Sequence, residues 1–158
     1  MKSLLVVLSI GIFIGSCGSG SENKTAPAAG ESASKDNANG NPSYDPNRGE
    51  GKFTKVELSA TLDQPKAAQG EKVYDVKCSS CHKTTDEKLV GPGWKGVTGR
   101  HSAEWIMNFV TNTDAMIDKD PKVLAMLEIC LVRMPNQNIN DDDARAIYEF
   151  MRKVDGVK

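Results

Sequence analysis

The sequence predicts an all-α fold of about four or five helices, preceded by a long segment that does not fold. Three observations carry this prediction. Apolar residues recur at helical spacing near the carboxyl end, helix-capping residues precede two further apolar runs, and residues 18–47 contain no Val, Ile, Leu, Met, Phe or Trp. The length of 158 residues suits one domain with appendages, and the net charge of −1 argues against nucleic-acid binding.

The amino-terminal residues 1–16 are predicted to be a signal peptide. Lys2 supplies a positive charge, and Leu4–Ile14 is an almost continuous apolar run, shorter than the roughly 20 residues that a membrane span needs. The following Gly15-Ser16-Cys17 resembles the lipobox of bacterial lipoproteins. The resemblance implies lipid attachment at Cys17 and a periplasmic, membrane-anchored protein, with the outer membrane favoured because Gly18 follows. A transmembrane anchor, and an ordinary cleaved signal with Cys17 as a bystander, are the alternatives.

Residues 17–47 are predicted to be a flexible linker from that lipid anchor. Of residues 18–47, 22 of 30 are Gly, Ser, Ala, Asn or Pro, so burial cannot offset the entropy of ordering them. Residues 48–65 regain apolar alternation at Phe53, Val56 and Leu58. We expect residues 48–65 to form an extended lead segment laid against a domain that spans residues 66–158.

The motif that carries chemistry is Cys78-Ser79-Ser80-Cys81-His82, which has the pattern C-x-x-C-H. In an exported chain this pattern is typical of covalent haem attachment. The two thiols lie about one helical turn apart and can form thioethers to the haem vinyl groups, while His82 can bind the iron. Three alternatives remain open: a thioredoxin-like dithiol, which lacks the expected βαβ pattern, a zinc site, which lacks a second cysteine pair, and a strained Cys78–Cys81 disulfide.

Helices are predicted on both sides of a middle region of the domain. Gly70, Tyr74 and Cys78 share one helical stripe, on which Gly70 lets another helix approach closely. The last helix is predicted over residues 141–154, with Asn140 as its N-cap. The apolar face of this last helix is formed by Ala144, Ile147, Tyr148 and Met151, with Phe150 beside them.

Two helices are predicted between these ends. Ser102 is the expected N-cap of a helix that carries Trp105, Ile106, Phe109 and Val110. Asp120-Pro121 starts a second helix over residues 121–132, because Pro is favoured at the first helical position. We expect this second helix to bury Val123, Leu124, Leu127 and Leu131, and to bury Cys130 as a small hydrophobic residue.

Together, residues 66–155 resemble a class I, mitochondrial-like cytochrome c. In that family the first and last helices cross through a contact between Gly and aromatic residues. The resemblance implies that Gly70 and Tyr74 pack against Ile147 and Phe150. It also implies one covalently bound haem c as the cofactor.

The stretch Gly91–Arg100 resembles the family's G-P-x-L-x-G-x-x-G-R sequence, with Trp94 where the family often has Leu. The resemblance implies that the Pro92 carbonyl accepts a hydrogen bond from His82 and so sets its tautomer. It further implies that Trp94 packs on the haem and that Arg100 lies near a haem propionate. The alternative for Arg100 is an ordinary solvated surface residue.

Met134 is the predicted second axial ligand. It follows a predicted helix and precedes Pro135, so it lies on a loop, and this Met-Pro pair resembles the family's distal-ligand loop. We expect His101 to be exposed or near the propionates. The other methionines are expected to be core residues, and the full set of candidates is Met107, Met116, Met126, Met134, Met151 and His101.

These features predict a single-electron carrier, not an enzyme, in an extracytoplasmic respiratory chain. Its expected partners are a respiratory donor and a terminal reductase or oxidase, and we expect a monomer. Residues 48–58 and 134–140 resemble those of small cytochromes that accompany nitrous oxide reductase. Two alternatives remain: a five-coordinate haem peroxidase or gas sensor, which requires a labile Met134, and a lipoprotein with a redox dithiol and no haem.

Overall fold

The computed structural model describes residues 44–158 of the chain. The predicted signal peptide, the lipidation site at Cys17 and the linker up to residue 43 lie outside the described residues. The described part contains six helices and no β-strand, which confirms the all-α prediction. The helices are α1 (Gln64–Lys77), α2 (Val97–Arg100), α3 (Ala103–Thr111), α4 (Thr113–Lys119), α5 (Pro121–Cys130) and α6 (Asp141–Val154). Within residues 44–158, no helix has the length and apolar character that a membrane span requires.

Three of these helices begin at the capping residues that the sequence predicts. The Asn140 side chain accepts a hydrogen bond from the Asp143 backbone amide at 2.8 Å at the start of α6. Ser102 caps α3 by accepting from the Trp105 amide at 3.1 Å. Asp120 caps α5 by accepting from the Lys122 and Val123 amides, and so satisfies two backbone donors that have no partner within the helix.

The first and last helices, α1 and α6, cross at Gly70. A Cβ atom on Gly70 would lie 2.0 Å from the Ala146 carbonyl oxygen, so the two backbones touch where Gly70 has no side chain. One turn further along, the Tyr74 and Phe150 rings pack with their centroids 5.3 Å apart. Ile147 is 1% exposed at the same crossing. The aromatic contact therefore continues the backbone contact toward the end of α1.

The predicted buried face of α5 is wrong in part, because α5 is turned differently about its axis. Val123 is buried, but Leu124 and Leu131 are 43% and 84% exposed. The inner stripe instead runs through Val123, Met126, Leu127 and Cys130, which all line one cavity. This stripe has i, i+3, i+4, i+7 spacing, and it shares Val123 and Leu127 with the predicted face. Leu131 lies outside α5, because the helix ends at Cys130 and Leu131 is its C-cap. Cys130 is accordingly half-buried in the cavity wall and is not a core residue.

The lead segment is held against α3 by one buried side chain. Asn108 is fully buried, and its amide nitrogen donates to the Arg48 and Phe53 carbonyls while its oxygen accepts from the Phe53 amide. Gly51 packs so tightly on Asn108 that a Cβ atom would lie 2.3 Å from its Oδ1. These bonds replace the sheet or helix partners that an extended segment lacks.

The ordered lead begins before residue 48. Tyr44 donates its hydroxyl hydrogen bond to Asp120, a fully buried carboxylate that also accepts from Trp105 Nε1 at 2.7 Å. The Pro46 carbonyl accepts from Lys122 Nζ at 2.8 Å. Residues 44–47, which the sequence placed in the linker, therefore belong to the folded domain.

Replacement of Gly70 by Ala should destabilise the protein by about 2–3 kcal/mol, because the new methyl group forces α1 away from the Ala146 carbonyl. The measurement is denaturant unfolding of the haem-loaded protein. Gly99→Ala is the matched control, because a Cβ atom at Gly99 meets no atom within 4 Å, and it should leave stability equal or slightly higher. Equal losses in both variants would contradict the close crossing.

Replacement of Asn108 by Ala should cost about 2 kcal/mol or more, because it removes three buried hydrogen bonds to the lead. Proteolysis should then cut near residues 48–56 faster than in the native protein. Asn112→Ala is the control, since Asn112 donates only one bond to the lead, to the Glu50 carbonyl at 3.1 Å, and it should have a smaller effect. A lead that stays protected in Asn108→Ala would show that Asn108 does not hold it.

Candidate functional site

The C-x-x-C-H motif forms a compact turn directly after α1. Cys78 caps the helix through its amide, which donates to the Tyr74 carbonyl at 2.9 Å, and the His82 amide donates to the Cys78 carbonyl at 2.9 Å. The Tyr74 hydroxyl donates to the His82 carbonyl at 2.7 Å. Cys78 and Cys81 are free, partly buried thiols, and burial raises the pKa of Cys78 to about 11. Tyr74, which packs in the helix crossing, thus holds both ends of the motif, Cys78 through its carbonyl and His82 through its hydroxyl.

The His82 ring is fixed by one hydrogen bond. Its Nδ1 lies 2.9 Å from the Pro92 carbonyl oxygen, which can only accept, so Nδ1 carries the proton. The tautomer leaves the Nε2 lone pair available to a metal. Burial lowers the pKa of His82 and outweighs the opposing effect of the Pro92 bond, so the ring is neutral at pH 7. Neutral imidazole is the form that binds metal ions.

Gly91 makes this geometry possible, although the sequence assigned it no role of its own. A Cβ atom at Gly91 would lie 2.3 Å from His82 Cε1, so the loop backbone rests directly on the imidazole. Any side chain at Gly91 would push the Pro92 carbonyl away from Nδ1. A glycine beside the proline was the available signal for this close approach.

His82 and Met134 line the same apolar cavities. Two neighbouring cavities, with about 590 and 610 Å³ of space between protein atoms, open to solvent and share five lining residues. The shared residues are His82, Pro92, Phe109, Met126 and Met134. Together the cavities form one slot with the apolar lining that is typical of cofactor sites. The Met134 side chain, which carries a thioether sulfur, and the His82 imidazole therefore line the same slot.

Trp94 forms part of the slot wall and joins it to the helix crossing. Its side chain is 6% exposed, and its ring centroid lies 4.8 Å from Tyr74 and 5.8 Å from His82. The large indole ring keeps this part of the wall apolar. Packing of this kind fixes the imidazole plane as well as its position.

Arg100 and His101 line the second cavity beside Trp94. The Arg100 guanidinium donates to the Lys95 carbonyl at 2.7 Å and to the Gly93 carbonyl at 3.3 Å. His101 is half-buried and stacks on Trp105 with centroids 3.9 Å apart, and its Nδ1 is buried with no hydrogen-bond partner. Burial is the main reason that the pKa of His101 is lowered. The Arg100 guanidinium and the His101 Nδ1 atom are therefore placed to bind the carboxylate groups of a cofactor in this cavity.

The other sulfur candidates differ in their availability. The Met116 sulfur accepts a hydrogen bond from the Glu50 amide at 3.0 Å, and Met107 is 3% exposed in the core. Met151 is buried in the wall of the second cavity. Met126 lines both cavities from the middle of α5, whereas Met134 reaches them from the loop after α5. Met126 and Met134 are therefore the two methionines shared by both cavities.

A second residue that the sequence did not predict holds the loop of the site. Asp155, the C-cap of α6, accepts from the Gly96 and Thr98 amides and from the Thr98 hydroxyl at 2.6 Å. These bonds tie the Gly91–Arg100 stretch to the last helix. Nothing local in the sequence marks this contact, because 57 residues separate Asp155 from Thr98.

The residues of the slot fit a covalently attached haem. Two thiols stand beside a neutral imidazole with an available nitrogen, and an apolar slot extends from that imidazole to a thioether. Among residues 44–158, no group of three or more His, Cys, Asp or Glu side chains could hold a metal ion directly. The donor set therefore matches an iron that arrives inside a macrocycle and needs only axial ligands.

Comparison with known proteins supports this assignment. Residues 67–155 match the family model for cytochrome c. The chain is similar to the solved cytochrome c from Rhodothermus marinus, with 31% identity, a TM-score of 0.64, and coverage of 66% of this chain and 90% of that chain. An engineered Rhodothermus marinus cytochrome c, Rma TDE, matches at 30% identity and a TM-score of 0.64 with the same coverage. The comparison with curated proteins found no match.

The family match covers residues 67–155, which is more than half of the chain, and the structural match is likewise named a cytochrome c. The chain belongs to the cytochrome c family, and its cofactor is a covalently attached haem c.

Proposed function

We propose that this protein is a single-electron carrier whose haem c is bonded to Cys78 and Cys81 and held axially by His82 and Met134. One observation carries the proposal. His82 and Met134 line the same apolar slot, and the bond from His82 Nδ1 to Pro92 leaves Nε2 for the iron. When bound, the haem supplies one-electron chemistry.

The chain's own residues set the conditions for that chemistry. A methionine sulfur opposite a histidine raises the reduction potential relative to other axial pairs. Trp94, Phe109 and Met126 keep the slot apolar and limit water beside the cofactor. If His82 and Met134 both bound the haem iron, no coordination position would remain for a substrate, which favours electron transfer over catalysis. The exposed Val90 and Val132 at the slot's mouth leave an edge open to a redox partner.

We further propose that the protein works on the periplasmic side of a membrane, anchored by lipid at Cys17, and links a respiratory donor to a terminal reductase or oxidase. The support comes from the apolar run and lipobox-like residues before Cys17. The resemblance of residues 48–58 and 134–140 to small cytochromes that accompany nitrous oxide reductase makes that reductase the first partner to test.

Replacement of Met134 by Ala should lower the reduction potential by on the order of 0.1 V, a fraction of the roughly 0.8 V range set by axial ligands. The reduced variant should also bind carbon monoxide rapidly, whereas the native protein should not. Redox titration and visible spectroscopy measure both effects.

Met126→Ala is the matched control, because Met126 lines the same two cavities and should keep the native axial spectrum. A native potential and spectrum in Met134→Ala would overturn the assignment. Rapid carbon monoxide binding by the native protein would favour the five-coordinate alternative, a peroxidase or gas sensor.

Replacement of Cys17 by Ser should move the protein from the membrane fraction to the soluble periplasmic fraction without changing its haem spectrum, because the acyl chains supply the membrane affinity. Cell fractionation with haem staining measures this. Cys130→Ser is the control and should stay with the membrane, since Cys130 lies in the folded domain. Membrane retention of Cys17→Ser would count against the lipoprotein assignment.

A further inference from the structure

The loop that carries Met134 has little backbone support. Leu131 ends α5 in the left-handed conformation, with φ of 59°, and the chain then runs to Asn140 without regular structure. Within the described chain, no backbone–backbone hydrogen bond involves residues 132–139. The position of the Met134 sulfur therefore depends on side-chain contacts, both those of Met134 with the core and those made by its neighbours.

Arg133, the residue before Met134, makes one of these contacts. Its guanidinium nitrogen lies 3.0 Å from Asp118 Oδ1 and 3.3 Å from Asp114 Oδ1. The two carboxylates are one turn apart on α4, so a single cation can bridge them. On the other side of Met134, Lys77 Nζ donates to the Gln137 carbonyl at 3.0 Å.

Helix α4 offers a firm base for this contact. Met116 and Ile117 lie between Asp114 and Asp118 in the sequence of α4, and they are only 0% and 2% exposed. These two buried side chains fix α4 against the core. Ile117 also lines the slot that Met134 enters. The ion pairs of Arg133 therefore connect the Met134 loop to a helix that forms part of the slot wall.

We propose that Arg133 is a positioning residue whose bridge to Asp114 and Asp118 holds the Met134 loop closed over the slot. This inference rests on the proposed axial role of Met134. External ligands reach the iron only when the loop is open. A weaker bridge raises the equilibrium constant for loop opening, and the apparent affinity of a competing ligand rises by the same factor.

The bridge is exposed to solvent, and this predicts a salt dependence. The Arg133 side chain is 47% exposed and each carboxylate 64%. Exposed ion pairs change an equilibrium by about 1.4- to fivefold, and many surface pairs contribute nothing measurable. At 1 M salt the screening length falls to about 3 Å, so the bridge should lose its effect there. If Arg133 positions the loop, its replacement changes ligand affinity at low salt but not at 1 M salt. If the ion pair contributes nothing, affinity is unchanged at both salt concentrations.

The test is spectroscopic titration of the ferric, haem-loaded protein with imidazole, which competes with Met134 for the iron. Arg133→Gln should bind imidazole about 1.4- to fivefold more tightly than the native protein at low salt. Arg133→Lys should restore most of the native value, because it keeps the charge. In 1 M sodium chloride the native protein and Arg133→Gln should bind imidazole equally.

Lys119→Gln is the matched control. Lys119 lies on α4 with similar exposure, but it pairs with Glu50 of the lead at 3.1 Å and not with the loop. An unchanged imidazole affinity in Arg133→Gln overturns the proposal, and so does an equal rise in Lys119→Gln. Met134→Ala separates the two proposals: if it does not bind imidazole far more tightly than the native protein, the axial assignment itself fails.

Discussion

The close crossing of α1 and α6 at Gly70 is the constraint on which the rest of the structure depends. Because the Gly70 backbone rests on the Ala146 carbonyl, the end of α1 has one position relative to the core. Tyr74 packs at that crossing and also donates to the His82 carbonyl. The C-x-x-C-H motif is therefore placed by helix packing, and a single side chain transmits that placement to His82.

The site combines rigid and weakly held parts. On the histidine side, Gly91 and Pro92 fix the ring of His82, and Asp155 fixes the loop that carries them. On the methionine side, Met134 lies on a segment, residues 132–139, that makes no backbone–backbone hydrogen bond within the described chain. If Met134 binds the iron as proposed, variation in reduction potential and in access for external ligands would arise on the methionine side.

Much of the fold and the donor set could be predicted from local sequence. The C-x-x-C-H motif, the capping of α6 by Asn140 and the apolar face from Ala144 to Met151 depend on residues within one or two turns of each other. The orientation of α5 could not be predicted, because apolar residues flank Val123 and Leu127 on both sides of the helix, Leu124 on one side and Met126 on the other. The tertiary structure made the choice: Met126 lines the cavity and Leu124 is 43% exposed, while Leu131 lies beyond the end of the helix.

The sequence by itself determined the chemistry of the site, because thiols, imidazole and thioether are properties of residues and their spacing. It also determined most helix starts, because a cap and its helix are neighbours in the chain. Only the tertiary structure decided which contacts hold the site together. Three such contacts join residues that are 15 to 57 positions apart: Asp155 with Thr98, Asn108 with Phe53, and Arg133 with Asp118. Such pairs leave no local pattern, since their partners meet only after the helices have packed.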